Sequence, residues 1–328
     1  MNQDLLALTH TADEYDKYLN AVVPPVFMNS LHVYDRFEDY CNVDVYKDDQ
    51  FVYGRSSNPT VHILERKIAE LEHGSRAVAF SSGMAACTAA IMATCKAGSH
   101  IVCMRDVYQP VKRFLHTVGI PRLNFSVTYV SGNDLDEIEA AIQDNTALMI
   151  LESPATFVFR VVDLKAISEI AKRHGVITYI DNTCMTPLFQ KPLELGIDIS
   201  MHTMSKYIGG HSDIIGGVLV SKNEELMRKI MSEMREWFGG VPMEGWLCIR
   251  GLRTLDARLK RHQEIAMAIA EFLEKSDKVK RVNYTGLASH PQADIIRRQQ
   301  QGHTSLMSVE LDASPDKAVE FIDNLKLF

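Results

Sequence analysis

The sequence predicts an α/β protein: a mostly parallel seven-stranded sheet covered by helices on both faces, followed by a smaller α+β region. Two observations predict it. Short apolar or β-branched runs near 77–80, 100–104, 125–130, 147–151, 176–180, 198–202 and 215–220 alternate with helical periodicity at 60–72, 84–95, 135–143 and 163–174. Alternation of this kind belongs to parallel strands joined by helical crossovers, buried on both faces. At 328 residues the chain is also long for a single core, so a division into more than one unit is expected.

Residues 1–58 read as an N-terminal arm. They are irregular, with Pro24-Pro25 and an acidic, aromatic-rich stretch from 34 to 53, and are expected to wrap another subunit or domain. Residues 59–255 carry the regular alternation and form the expected large domain, and 256–328 the expected small, incomplete one. Helical periodicity returns at 223–236 and at 244–275. A strand is expected over 304–311, and Ser314-Pro315 opens a last helix with a capping residue and a proline in the first turn. That helix carries Val319, Ile322 and Leu325 on one face, which calls for a partner surface.

Composition narrows the function classes. Hydrophobic content of 46% and charged content of 23% are ordinary for a globular protein. The formal net charge of −7, without a basic stripe, argues against a nucleic-acid phosphate binder. Six cysteines without a C-x-x-C pair give neither a disulfide framework nor metal-ligand spacing, and Cys87, Cys95 and Cys103 sit in apolar runs that suit core packing. Neither a leader pattern nor a membrane-length apolar run is seen, which leads to the expectation of a reducing, cytoplasmic location.

The chemistry concentrates around Lys206, in the run His202-Thr203-Met204-Ser205-Lys206-Tyr207-Ile208-Gly209-Gly210-His211-Ser212-Asp213. Alone, a lysine between hydroxyls reads as a surface residue. Two companions change that. Asp181 ends the apolar run 176–180, and the run 197–201 ends beside the lysine, so both would face the crevice at the carboxyl ends of neighbouring strands. Ser81-Ser82-Gly83-Met84 follows a short strand and opens an Ala-rich helix, whose free N–H groups suit a phosphate. An amine, a carboxylate and a cluster of phosphate-binding groups fit an aldehyde cofactor with a phosphate tail. The amine condenses with the aldehyde, Thr203 and Ser205 bond the phosphate, and Asp181 keeps a pyridine nitrogen protonated. His202 and His211 lack a third ligand and read as structural, so no metal is expected.

These segments resemble the fold-type I pyridoxal-phosphate enzymes of cysteine and methionine metabolism: cystathionine γ-synthases, cystathionine lyases, methionine γ-lyases and O-acylhomoserine sulfhydrylases. Tyr53-Gly54-Arg55-Ser56-Ser57-Asn58-Pro59-Thr60 is similar to their Y-x-R-x-x-N-P-T, Ser81-Ser82-Gly83-Met84 to S-S-G-M-A, Asp181-Asn182-Thr183 to D-N-T, and 202–213 to H-S-x-T-K-Y-x-x-G-H-S-D. The resemblance implies pyridoxal 5'-phosphate as cofactor and Lys206, Tyr108 and Asp181 as catalytic residues. It implies cofactor contacts from Ser82, Gly83, Met84, Tyr108, Thr156, Asp181, Thr183, Thr203, Ser205 and Lys206, with Tyr53 and Arg55 reaching the phosphate of a neighbouring subunit. A homotetramer built as a dimer of dimers and a small amino-acid substrate follow from the same likeness.

Three departures accompany it. Tyr108-Gln109-Pro110-Val111 stands for Y-G-G-T, and Glu152-Ser153-Pro154-Ala155-Thr156-Phe157 stands for E-x-P-x-N-P, which puts Thr156 where the family has an asparagine on the cofactor–substrate adduct. The arginine that binds the substrate α-carboxylate in the family would fall beyond Phe328, so the chain as given is expected to bind cofactor and turn amino acids over poorly. Elimination at a sulfur-bearing amino acid, of the γ-lyase or cystathionine-lyase type, is the leading expectation. Replacement at the γ-carbon of an O-acylhomoserine is the alternative. A cofactor-binding subunit or regulator without turnover is the reading from another class.

Overall fold

The structure is a computed structural model that describes residues 3–47 and 49–327. Its centre is a seven-stranded sheet of β1 (Arg76–Phe80), β2 (His100–Met104), β3 (Ser126–Val130), β4 (Thr146–Glu152), β5 (Ile177–Asp181), β6 (Ile199–Thr203) and β7 (Gly217–Ser221). The spatial order is β1-β7-β6-β5-β4-β2-β3. Only β7 runs against its neighbours, pairing antiparallel with β1 and β6. The carboxyl ends of β1, β2, β4, β5 and β6 therefore meet at one edge.

The inner strands and β1 bury both faces, while the edge strand β3 buries only Val130. In β1, Val78 and Phe80 enter one core and Ala77 and Ala79 the other; in β7, Leu219 faces the first and Val218 and Val220 the second. This period of two, with both sets apolar, is what a strand covered by helices on each side requires. The first core also takes the helices Gly83–Thr94 and Leu164–Arg173. The second takes Gln3–Thr9, Pro59–Leu71 and Pro242–Leu252. The helix Leu255–Glu274 starts in the second core with Leu255 and Leu259. It continues into a third, where Ala266 and Ala270 pack on Val282 and Tyr284. β8 (Val279–Asn283) pairs antiparallel with β9 (Ser308–Leu311) beside it.

Local rules account for several helix starts. Asn58 caps the helix Pro59–Leu71 by accepting from the Thr60 and Val61 N–H groups at 3.0 and 3.3 Å. Thr60 Oγ1 accepts from the Phe27 N–H at 2.9 Å and donates to the Pro25 carbonyl at 3.0 Å, so the Asn-Pro-Thr segment also fastens the arm. Asp163 and Asn223 cap the helices Leu164–Arg173 and Glu224–Ile230 in the same manner.

At the start of the arm Ala7, Leu8 and Ala12 are buried in the second core, against the helices of the large sheet. The structure corrects two sequence readings. The helix expected over 244–275 is two helices. Thr254 Oγ1 donates back to the Gly251 carbonyl at 3.2 Å and Arg258 Nη2 donates to the same oxygen at 2.9 Å, which takes that carbonyl out of the helical ladder. The strand expected over 304–311 is ordered as strand only from Ser308. Ahead of it the Thr304 carbonyl accepts from Tyr284 Oη at 3.0 Å and the Ser305 N–H donates to Tyr207 Oη at 3.3 Å. The closing helix, Pro315–Asp323, buries none of its residues, and Val319, Ile322 and Leu325 lie exposed.

Asp13 and Lys67, both fully buried, tie the arm to the large sheet's helices. Their ion pair is 2.9 Å long with an angle poor for a hydrogen bond, and Arg253 Nη2 reaches the other Asp13 oxygen at 3.1 Å. Burial favours the neutral amine and pushes the Lys67 pKa down, against the opposing pull of Asp13. Asp13→Ala should destabilise the chain by about 3–5 kcal/mol in denaturant unfolding, because it leaves Lys67 buried without its counter-charge. The double change Asp13→Leu with Lys67→Met should recover most of that loss. A single variant within about 0.5 kcal/mol of the parent would show that the pair does not hold the arm.

Candidate active site

The carboxyl ends of β1, β4, β5 and β6 bring the sequence-expected residues together. After β1, Ser82 caps the helix Gly83–Thr94 by accepting from the Ala85 N–H at 3.0 Å, which leaves the N–H groups at the helix start pointing out of the sheet edge. Gly83 lies directly against β6: a side chain there would come within 2.8 Å of Thr203 Cβ and Oγ1. Gly217 on β7 is equally constrained, since its added Cβ would stand 2.4 Å from the Ser82 carbonyl oxygen. Residues 82–84 and Thr203 therefore form one surface, and a bulkier residue at 83 or 217 would separate them.

Thr203 and Ser205 flank the turn that carries Lys206. Thr203 Oγ1 donates to the Gly216 carbonyl at 3.2 Å, and Ser205 Oγ accepts from the Gly216 N–H at 3.3 Å. The Thr203 N–H donates to Thr183 Oγ1 at 2.8 Å, joining this turn to the end of β5. Lys206 is solvent-exposed, and its carbonyl accepts from the Gly210 N–H at 2.8 Å, which closes the glycine-containing turn behind it.

Asp181 ends β5 and accepts from the Thr183 N–H at 2.9 Å. Desolvation at the strand end raises its pKa, opposed by the Thr183 hydrogen bonds and by the nearby His202. His202 is buried on β6 and bonded to Glu72. Asn182 Nδ2 donates to the same Glu72 oxygen at 3.0 Å, and Gln190 Nε2 donates to Asn182 Oδ1 at 2.9 Å. His202 is thus a structural residue beneath the site. His211 Nδ1 lies 2.8 Å from the Gly209 carbonyl. Among the described residues no group of three His, Cys, Asp or Glu side chains is placed to hold a metal ion.

Glu152, which the sequence reading did not single out, stands in register with Asp181 on the adjacent parallel strand. It is buried and accepts from the Tyr108 N–H at 2.7 Å and from the Thr156 hydroxyl. Burial and the Asp181 charge push its pKa up to about 8. The available signal was the run 148–151, which ends in a carboxylate just as the run before Asp181 does. Tyr108 itself is half exposed at the start of the helix Gln109–Phe114, so its ring is free to face a ligand.

Tyr53 and Arg55 form a separate pair. The Arg55 guanidinium sits 4.9 Å from the centre of the Tyr53 ring and bridges to Glu236 at 3.2 Å. No hydrogen bond links either side chain to Lys206, Ser82, Thr203 or Ser205 among the described residues. A groove of about 380 Å³ lies elsewhere, along the outer face of the helix Leu255–Glu274, and its lining from Arg261 to Phe272 brings no set of reactive groups together. Among the described residues no helix is long and apolar enough to cross a membrane.

The donor set suits pyridoxal phosphate. A helix start with a glycine-tight surface and two hydroxyls fits a phosphate, a strand-end carboxylate fits a pyridinium nitrogen, and an exposed amine fits an aldehyde.

Comparisons with known proteins agree. A cystathionine β-lyase of Coxiella burnetii is 37% identical over 321 residues, covering 97% of this chain and 81% of that protein. An L-methionine γ-lyase of Fusobacterium nucleatum subsp. nucleatum is 35% identical over 306 residues, covering 92% of this chain and 77% of that protein. The solved structure of a cystathionine γ-synthase from Xanthomonas oryzae pv. oryzae, in complex with aminoacrylate and cysteine, superposes with a TM-score of 0.93 at 34% identity. That alignment covers 100% of this chain and 83% of the solved one. These are fold-type I enzymes, and the mostly parallel seven-stranded sheet with its small antiparallel sheet is of that architecture. With the family profile described as Cys/Met metabolism PLP-dependent enzyme matching residues 7–328, the chain belongs to that family.

Proposed function

We propose that this chain binds pyridoxal phosphate at the sheet edge around Lys206 and eliminates a sulfur-bearing group from an amino acid, in the manner of a cystathionine or methionine lyase. The observation that carries this reading is the convergence of Lys206, Asp181, the helix start at 82–84 and the Thr203 and Ser205 hydroxyls on one edge. A γ-replacement reaction remains the second reading, favoured by the likeness to a cystathionine γ-synthase of known structure.

When bound, the cofactor supplies an electron sink for negative charge at the substrate α-carbon. The protein's part is binding, orientation and proton transfer. The Ser82, Gly83 and Met84 N–H groups and the Thr203 and Ser205 hydroxyls hold the phosphate. Asp181, kept in place by Thr183, holds the positive ring nitrogen through its negative charge. Lys206 Nζ takes and returns protons at the α- and β-carbons. Tyr108, half exposed, would help to hold the ring, and its hydroxyl would exchange a proton with the substrate amine or the leaving sulfur. Thr156 lies beside these groups through its bond to Glu152.

Tyr53 and Arg55 serve a neighbouring subunit's site in this proposal, within a dimer or pair of dimers. Two features support it: their separation from this chain's own cluster, and the exposed apolar side chains of the arm, among them Leu19, Val22, Met28, Val33 and Phe37.

Borohydride reduction of the cofactor-loaded protein, followed by peptide mapping, should place the pyridoxyl label on Lys206. A label on any other lysine would overturn the site assignment. Release of pyruvate, 2-oxobutyrate and thiol across a panel of sulfur amino acids then identifies the substrate. Cofactor binding with no product from any of them would leave the chain a binding subunit.

Asp181→Asn should leave the fold intact and lower turnover by roughly 10²–10³, the usual loss when one preorganised electrostatic partner is removed. Near-normal turnover in this variant would show that Asp181 is not the ring partner.

Mixing Lys206→Ala chains with Arg55→Ala chains should restore part of the activity that each lacks, since one site per mixed pair then has both groups. The absence of any gain in purified hybrids would mean that each chain supplies its own Arg55.

A further inference from the structure

Glu152 is a buried carboxyl beside the site to which the proposed reaction gives no role. It lies in register with Asp181 at the ends of parallel neighbouring strands, so the two side chains emerge on the same face. Its two oxygens have different partners on different loops: the Tyr108 N–H at 2.7 Å on the loop after β2, and the Thr156 hydroxyl on the loop after β4. The Thr156 N–H is tied in turn to the Asp106 carbonyl at 3.0 Å, so both loops close over this carboxyl.

The groups that act on Glu152 directly are acidic or neutral, and the basic groups nearby, His202 on β6 and Lys112 on the helix Gln109–Phe114, act on its neighbours Asp181 and Cys103. Asp181 and Tyr179 come from β5, Cys87 from the helix Gly83–Thr94, Cys103 from β2 and Cys184 from the loop after β5. Two adjacent carboxyls in such surroundings do not both ionise readily, and the pair retains one proton. A hydroxyl has a single proton to give. While Glu152 is ionised, Thr156 spends that proton on it. Once Glu152 is protonated, the carboxylic acid donates to Thr156 Oγ1 and the hydroxyl proton is released for another acceptor.

Resting on the functional reading above, we propose that Glu152 is a positioning residue: it shares one proton with Asp181 and thereby sets whether Thr156 donates to Glu152 or into the cofactor site. An asparagine at 156 would always keep amide N–H donors of its own, whereas a threonine depends on its neighbour's protonation. The one-donor side chain is what makes the site's hydrogen bonding follow the state of the carboxyl pair. The sign is fixed by the raised Glu152 value. The proton is present at neutral pH and is lost as pH rises through about 8.

Infrared difference spectroscopy of the full chain, without and with pyridoxal phosphate, tests this. The cofactor-free protein should show a protonated-carboxyl C=O band that disappears with a midpoint near pH 8. Glu152→Gln should abolish the band, and Asp181→Asn should lower its midpoint by removing the neighbouring negative charge. Thr156→Val should raise the midpoint, because the ionised form loses a donor, and Thr156→Ser should restore it. Affinity for pyridoxal phosphate should fall roughly three- to tenfold across the same transition, the effect of one hydrogen bond, and Glu152→Gln should remove that step. A band that survives in Glu152→Gln, or a midpoint unmoved in Thr156→Val, would overturn the proposal. Failure to bind pyridoxal phosphate would instead refute the functional reading, while the band in the empty chain still decides the shared proton.

Discussion

The close approach of Gly83 to Thr203 is the constraint on which the site depends. A strand-to-helix turn and the end of a strand two positions away in the sheet meet with no room for a Cβ, and Gly217 between them is equally tight. That contact places the N–H groups of a helix start beside the two hydroxyls before the lysine. Backbone N–H groups at a helix start are of little use to a folded chain by themselves, since they are donors left for solvent to satisfy. An anion satisfies them together, and the sheet edge supplies it with a place to sit.

Behind this surface the protein places charge where burial opposes it. Asp181 and Glu152 end neighbouring apolar strands, and His202, Glu72, Asn182 and Gln190 form a buried polar chain below them. Such groups cost desolvation energy and are retained only where nearly every lone pair and proton finds a partner. One does not: Glu72 Oε2 has no hydrogen-bond partner among the described residues. Its neighbours still fix the orientation of Asn182, the residue next to Asp181. Asp181, the proposed partner of a cationic ring, is therefore held by Thr183 in front and by a rigid strand end behind.

Much of this was legible in the sequence because strand burial on both faces leaves long apolar runs, and all seven strands of the main sheet lie within two residues of the expected positions. The candidate site residues stood out in the sequence for a related reason. Asp181 and Lys206 interrupt or follow such runs, and a polar group at the end of a buried strand is visible as a break in pattern. Glu152 carries the same signature. It was passed over because its partners are a backbone N–H and a hydroxyl from loops far apart in sequence, and no spacing rule encodes those contacts. The break at 253–254 was hidden too, since it depends on which side chains capture the Gly251 carbonyl.

The Tyr-x-Arg-x-x-Asn-Pro-Thr segment shows how one motif divides between folding and chemistry. Asn58 and Thr60 are accounted for within this chain: one caps a helix, the other pins the arm at Pro25 and Phe27, and both are buried. The side chains of Tyr53 and Arg55, a few residues earlier, are substantially exposed and, among the described residues, meet Glu236 and each other. An exposed ion pair of this kind contributes little to stability. The rigid half of the motif therefore serves to aim the other half outward. An arginine stacked on a tyrosine, held at the base of an arm with exposed apolar side chains, is the geometry on which the proposed contribution to a neighbouring subunit's site rests.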